Sequence, residues 1–506
     1  MPGIISPVRQ GLIQLLVGAA TLLAATSARA DSIALLLPVE RATEEQVVVL
    51  SLRESRVDVL IDPAAEPVLR IDDLLRGDES SGFVLLEPDD KTLRVGQPHG
   101  QEDVAPRLVV QLVLRPDQRF ELQGTDVDVT IRSAVVEAAS EVAEEASPNH
   151  ISAGTPRQSI RPGRGNHLID LQMDGGTVEL DGVSRAQVTA TGTQVNGSQT
   201  RGPIDLAVRS GEIDVSDHRG PLLLTAERTS VELRNLQGAM SAHVTGASVA
   251  VYGGEGKLVG DGEDGEFLVQ SWSGPIDFRG ELHRIDVLGS GTASKTLTVS
   301  GADLDVSVSD FAGAVTADLS GGSLDVRNLG GRAKIKARLG TRVRLENIQD
   351  TIDFRAESST DCIVQKIGRS FQARIEDSRL DARDLRQVRI SALRSFVYLE
   401  DVQGTADITL TDAEGELDLS GSRAASKISL QGASEASVVL PEPCAVRGQV
   451  ESDDTLQRQT IVDGCQLITA ESQYRSAFGD RRKGSTPAVL TATIAEDSTL
   501  EVRGRP

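Results

Sequence analysis

Residues Arg201–Gly238 read RGPIDLAVRSGEIDVSDHRGPLLLTAERTSVELRNLQG. A short alternating segment and a turn return about 18 residues on, so that Ile213-Asp214-Val215 is answered by Val231-Glu232-Leu233. Apolar and polar residues alternate strictly inside each triplet, which is the two-residue period of a half-buried strand.

Outward from this stretch, similar triplets begin at Val178, Ile213, Val231, Val249, Ile285, Leu304, Leu324, Val343, Leu380, Val397 and Leu417. The period is about 18 to 20 residues, and each doubled interval holds one degenerate copy. No stretch between 168 and 440 carries a helical period. A strand-like unit this short cannot bury its apolar face alone, so copies must stack. The pattern predicts an all-β chain whose residues 167–440 form a single-stranded β-solenoid, or β-helix. Asp217, Asn235, Asn328, Asn347, Asp384 and Asp401 each follow the central residue of a triplet by three positions. Asn and Asp tolerate left-handed backbone, so these positions predict a stacked corner. Gly220, Gly238, Gly313, Gly330 and Gly404 are expected to close coils through positive φ.

The flanks differ from the repeats. Residues 1–30 carry Arg9, an apolar run from Gly11 to Thr26 and Ala28-Arg29-Ala30, the pattern of a cleaved secretory leader. Residues 31–133 predict a β-rich entry domain, either a sandwich or coils that cap the solenoid. Residues 134–166 include the Ala- and Glu-rich SAVVEAASEVAEEAS and predict a short helix or linker. Residues 441–506 predict an irregular C-terminal cap. Cys444 and Cys465 fall within it, and in an exported protein they predict a disulfide.

Composition narrows the partners. The net charge is −23 and the only basic run is Arg481-Arg482-Lys483, which argues against nucleic acid or an anionic membrane as partner. Aromatic residues make up 3 % of the chain, too few for a broad stacking platform. No segment after the leader is long and apolar enough for a membrane-spanning helix.

The conspicuous chemistry is the central acid of the triplets: Glu179, Asp214, Glu232, Asp286, Asp305, Asp325, Asp381 and Asp418. Stacked in register, Asp286, Asp305 and Asp325 would form an outward acidic row at about 5 Å spacing. Such a row either binds Ca²⁺ or is screened by neighbouring arginines such as Arg209, Arg327 and Arg383. Cys362, inside a coil, reads as a small buried apolar residue. His218, His243 and His283 have no metal-site spacing, and no serine-hydrolase or phosphate-loop motif is present.

Ser210-Gly211-Glu212-Ile213-Asp214-Val215 and Gly322-Ser323-Leu324-Asp325-Val326-Arg327-Asn328-Leu329-Gly330 resemble the repeats of the bacterial DUF4097 adhesin-like family, related to the head domains of autotransporter-like adhesins. Leu108 to Ile131 is similar to the stretch where that family enters its repeats, and the likeness covers most of residues 45–440. It implies a β-solenoid with an adhesive role and no catalytic residues. The expectation is an exported, non-enzymatic protein, periplasmic, outer-membrane-associated or extracellular, that presents its acidic row to an envelope or surface polysaccharide or protein. A carbohydrate-active β-helix enzyme (polysaccharide lyase or glycosidase) and a periplasmic scaffold are the alternatives.

Overall fold

Alternating side chains commit each segment to a strand with one buried edge, and stacking pairs every such strand with its equivalents in neighbouring coils. The computed structural model describes residues 32–36, 47–53, 55–62, 68–73, 85–88, 92–96, 108–114, 119–133, 169–289, 291–448, 460–468, 488–495 and 497–505. Among them there is no helix, and parallel strands stack as a β-solenoid. The expected leader, the linker and the Arg481-Arg482-Lys483 run lie outside the described residues. The chain divides into two compact units, Met1–Asn196 and Gly197–Pro506.

In the second unit each coil supplies two strands, an upstream and a downstream one. The upstream column begins Ile204–Arg209, Leu222–Glu227, Met240–Thr245 and Leu258–Glu263, each pairing in parallel with the next. The downstream column begins Glu212–Ser216, Ser230–Gln237, Ser248–Glu255 and Glu266–Trp272, also parallel. The upstream strands bury alternate residues from their first position and the downstream strands from their second. Ile213, Val231, Val249, Phe267, Ile285, Val306, Leu324 and Val343 thus form one continuous apolar column. Burial at about 25 cal/mol per Å² of apolar surface supplies most of the driving force. Sizes interdigitate along the core. Gly260 leaves room for Phe278 and Phe267, whose rings stand 4.8 Å apart, and a Cβ at Gly260 would lie 2.6 Å from the Phe278 ring.

The doubled intervals contain real strands. Phe267-Leu268-Val269 and Cys362-Ile363-Val364 fill their gaps in register. Two triplets are displaced from the expected positions. Val306, not Leu304, aligns with Ile285 and Leu324, and Gly415, not Leu417, aligns with Val397. Leu304 precedes the true triplet and imitates its start, whereas Leu417 is the last residue of its triplet and is mistaken for a first one because Leu419 follows it.

The corner column is left-handed as expected: φ is 54° at Asp217 and Asn235, 55° at Asn328, 57° at Asn347, 56° at Asp384 and 53° at Asp401. Its side chains also bond along the stack. Asn235 Nδ2 donates to Asp217 Oδ1 at 3.1 Å, and Asn347 Nδ2 donates to Asn328 Oδ1 at 2.8 Å. The glycines work differently from the expectation. Gly220 and Gly238 do have positive φ, but Gly313, Gly330 and Gly404 are not left-handed. They are small because the stacked backbone presses on them; a Cβ at Gly404 would fall on the Arg386 carbonyl oxygen.

A second left-handed corner precedes each downstream strand, with Arg228, Asp264, Asp377, Arg394 and Asp412 at positive φ. Buried hydroxyls satisfy its backbone. Ser395 Oγ accepts from the Ser378 amide at 3.1 Å and donates to the Leu393 carbonyl at 2.7 Å, and Ser434 Oγ does the same for Ala413 and Gln431. Unbonded amides here would carry the full cost of desolvation.

Stacking order departs from chain order in each unit. In the second, Ala488–Ile494 lies between Ser426–Gln431 and Cys444–Gly448, while Thr499–Arg505 lies between Glu435–Pro441 and Thr460–Asp463. The described part of the expected irregular cap is therefore a regular coil inserted beneath an earlier segment. The expected disulfide is present between Cys444 and Cys465 and ties that displaced segment to itself. In the first unit, Val47–Arg53 and Arg56–Ile61 form a coil between Thr92–Gly96 with Leu108–Leu114 on one side and Arg119–Ser133 on the other. Arg119–Ser133 then pairs in parallel with Ile169–Asp181, so part of the expected entry domain consists of coils, while Ser32–Leu36, Val68–Asp73 and Leu85–Pro88 add antiparallel pairings beside them.

Two glycine substitutions separate the two roles. Gly289 has φ 54° with nothing within 4 Å of an added Cβ, so only the left-handed backbone opposes a side chain there and Gly289→Asn is expected to change stability by no more than about 0.5 kcal/mol. Gly404→Ala forces stacked backbones apart and is expected to cost about 1–3 kcal/mol. Urea denaturation midpoints check both.

Candidate functional site

The outward column of the downstream strands is where the sequence places its acids. Its order is Asp214, Glu232, Ala250, Leu268, Asp286, Ser307, Asp325, Arg344, Ile363, Asp381, Tyr398, Glu416 and Ser437. Asp305 is not in it. Its register partners are Arg284 and Ser323, and Ser323 Oγ donates to Asp305 Oδ1 at 2.6 Å. Asp418 is likewise one position outside, with Glu416 in its place. The expected row of Asp286, Asp305 and Asp325 is therefore not assembled: Ser307 separates the first from the last. Glu179 belongs to the first unit, where it accepts from Thr130 Oγ1 at 3.3 Å.

Like charges adjoin in this column at Asp214 and Glu232, and Arg234 bridges them at 3.0 and 2.5 Å. Hydrogen bonding to Asp214 raises the arginine's pKa further. Three further acids of the column carry an arginine two residues away on the same strand: Arg284 with Asp286 at 2.8 Å, Arg327 with Asp325 at 2.6 Å, and Arg383 with Asp381 at 3.0 Å. Same-face neighbours on a strand are two residues apart, which is why this spacing pairs. Arg383 also reaches Glu400 at 3.3 Å and stacks over Tyr398. The result is a surface zipped by arginine–carboxylate pairs. Among the described residues, no three His, Cys, Asp or Glu side chains gather as a metal-binding group.

Residues able to act as nucleophile or base are placed apart. Cys362 is fully buried in the column between Val343 and Leu380, and burial pushes its thiol pKa well up. His218 occupies a core position with its Nδ1 2.9 Å from Thr200 Oγ1, and burial lowers its pKa, so it is neutral. His243 faces outward on an upstream strand, 2.8 Å from Asp261. A shallow depression of about 450 Å³ at the second corner is lined by Asp361, Asp377, Arg379, Arg394 and Phe396 among others. Arg394 clasps Asp377 and Glu376 there, each at 2.8 Å, and lowers the pKa of Asp377.

The upstream face holds what run-based reading of the sequence missed. Lys336, Arg355 and Arg374 are register neighbours in one outward column, flanked by Lys334 and Arg389 in the next. These cations recur every 19 residues, a signal visible only at the coil period. No family model matches the chain, and no curated protein matches it. Fold and surface together define a parallel β-solenoid with charge-patterned outward columns.

The corner ladder holds one strained pair. Hydrogen bonding to Asp384, with burial second, raises the pKa of Asp401 above the ordinary aspartate range. A raised carboxyl binds its proton more tightly in the folded state, so stability is full below the unfolded value and falls as pH rises through the folded one. Asp401→Asn, which copies the Asn347 to Asn328 arrangement, is expected to raise stability at neutral pH and flatten this slope, read from urea unfolding between about pH 4 and 7.

Proposed function

We propose that the protein is exported and non-enzymatic, and that it works at the cell surface or in the envelope by holding an extended polymer against its outward side-chain columns. The observation carrying this reading is the in-register outward face, where one side chain per coil, charged or polar in most coils, stands in a column on a backbone paired from both sides. A ligand that also repeats meets many equivalent contacts, each weak, and their sum gives affinity. Two further observations support binding over catalysis: the acids are engaged by arginines, and the thiol of Cys362 and imidazole of His218 are buried. The leader pattern of residues 1–30 supports export.

The test is protease treatment of intact cells alongside fractionation of periplasm, outer membrane and medium. Digestion on intact cells, or recovery from the medium, is the expected result. A fully protected periplasmic pool would overturn surface adhesion in favour of an internal scaffold.

A further inference from the structure

Both faces pair arginines with acids, as Arg209 with Glu227 and Arg279 with Asp277 on the upstream face, but one upstream stretch holds more cations than its acids engage. Along the stack its middle outward column runs Asp318, Lys336, Arg355, Arg374 and Ser391, so three cations follow one another in successive coils. At about 4.8 Å per coil they line up over about 10 Å. Lys334 stands two residues from Lys336 on the same strand, and Arg389 lies three coils further in that adjoining column. Among the described residues no acid pairs with Lys334, Lys336 or Arg374. Arg355 is held by Glu357 at 2.6 Å and Arg389 by Asp407 at 3.3 Å, and both guanidinium groups stay largely exposed. In a chain of net charge −23 such a stretch is a local inversion of sign.

Stacked like charges repel, so this column costs stability in the free protein. On the other face the same problem is met with an arginine bridge between Asp214 and Glu232. Here Glu357 engages Arg355 alone, and a partner for Lys336 and Arg374 has to come from outside.

We propose that Lys336, Arg355 and Arg374, with Lys334 and Arg389 at the margin, form a binding strip for a linear acidic polysaccharide carrying one carboxylate per sugar. This deepens, and rests on, the polymer-binding reading above. Three features select that ligand. The strip is one column wide, because Asp353 interrupts the column on one side and Glu357 and Glu376 line the other. It therefore accepts a single extended chain and not a duplex. Its charge repeat is one per coil, comparable to the sugar-to-sugar repeat of a uronic-acid polymer. Guanidinium groups also match carboxylates in bidentate geometry. A single-stranded nucleic acid also carries one charge per residue, but the strip offers its bases no aromatic side chain to stack on, in a chain with 3 % aromatic residues.

The experiment measures binding of the full chain to polygalacturonate, with dextran and single-stranded poly-dT as comparison polymers. Binding to polygalacturonate alone is expected, weakening as salt rises from about 0.1 to about 0.5 M. The triple variant K336Q/R355Q/R374Q is expected to lose about tenfold in affinity or more, as three exposed charge contacts imply. A companion variant, R234Q/R327Q/R383Q, removes the same charge from the other face and is expected to bind as the unaltered protein does. Circular dichroism verifies that both variants are folded. Equal loss in the two variants, no loss in the first, or equal binding to poly-dT would each overturn the strip. Failure of surface exposure on cells would overturn the functional reading while leaving this in vitro result readable on its own.

Discussion

Every coil lies directly over the next at the strand spacing of about 4.8 Å, and that proximity governs what each position can hold. Inward it demands apolar residues whose sizes alternate, as with Gly260 beneath Phe278. At the corners it demands left-handed backbone from Asn, Asp and Gly, and a hydroxyl such as Ser395 to bond an amide that water cannot reach. Where backbone itself presses on backbone, as at Gly404, it forbids a side chain altogether. Removing water from between coils makes any unbonded polar group costly, so these devices recur with the coil.

Stacking in register multiplies charge as readily as it multiplies apolar contact. An acid repeated at one outward position would become a column of repulsion, and the chain avoids this by interruption and pairing. Ser307 breaks the run between Asp286 and Asp325, while arginines two residues along the strand engage the acids that remain. The cationic upstream column differs in that three like charges follow one another without interruption and only the middle one, Arg355, is held by an acid.

The solenoid was legible because its signal repeats: apolar triplets, Asn and Asp corners, and an approximately constant period all point the same way. Register within single coils was less so. Leu304 imitates the start of a triplet, and only pairing across coils shows that Val306 holds the inward position, which moves Asp305 out of the acidic row. The hydroxyl corner carried a signal that went unread, a Ser or Thr two residues before the inward residue, as in Thr341 before Val343 and Ser378 before Leu380. The cationic strip was hidden because its members are distant in sequence. The chain order of coils at 47–133 and 426–505 had no sequence signal, since strands of equal pattern pair equally well in several orders.

That last property carries a consequence for the size of the assembly. A stack built in chain order has no intrinsic count, because each finished coil presents an edge able to accept another like it. Here segment 444–468 takes its place only against Ala488–Arg505, which is synthesised after it, and so the terminal coils close as a clasp and not as one more step. Interleaving thus fixes the order in which the end can form, separating a middle whose length evolution can change by whole repeats from an end whose topology cannot be reached by simple repetition.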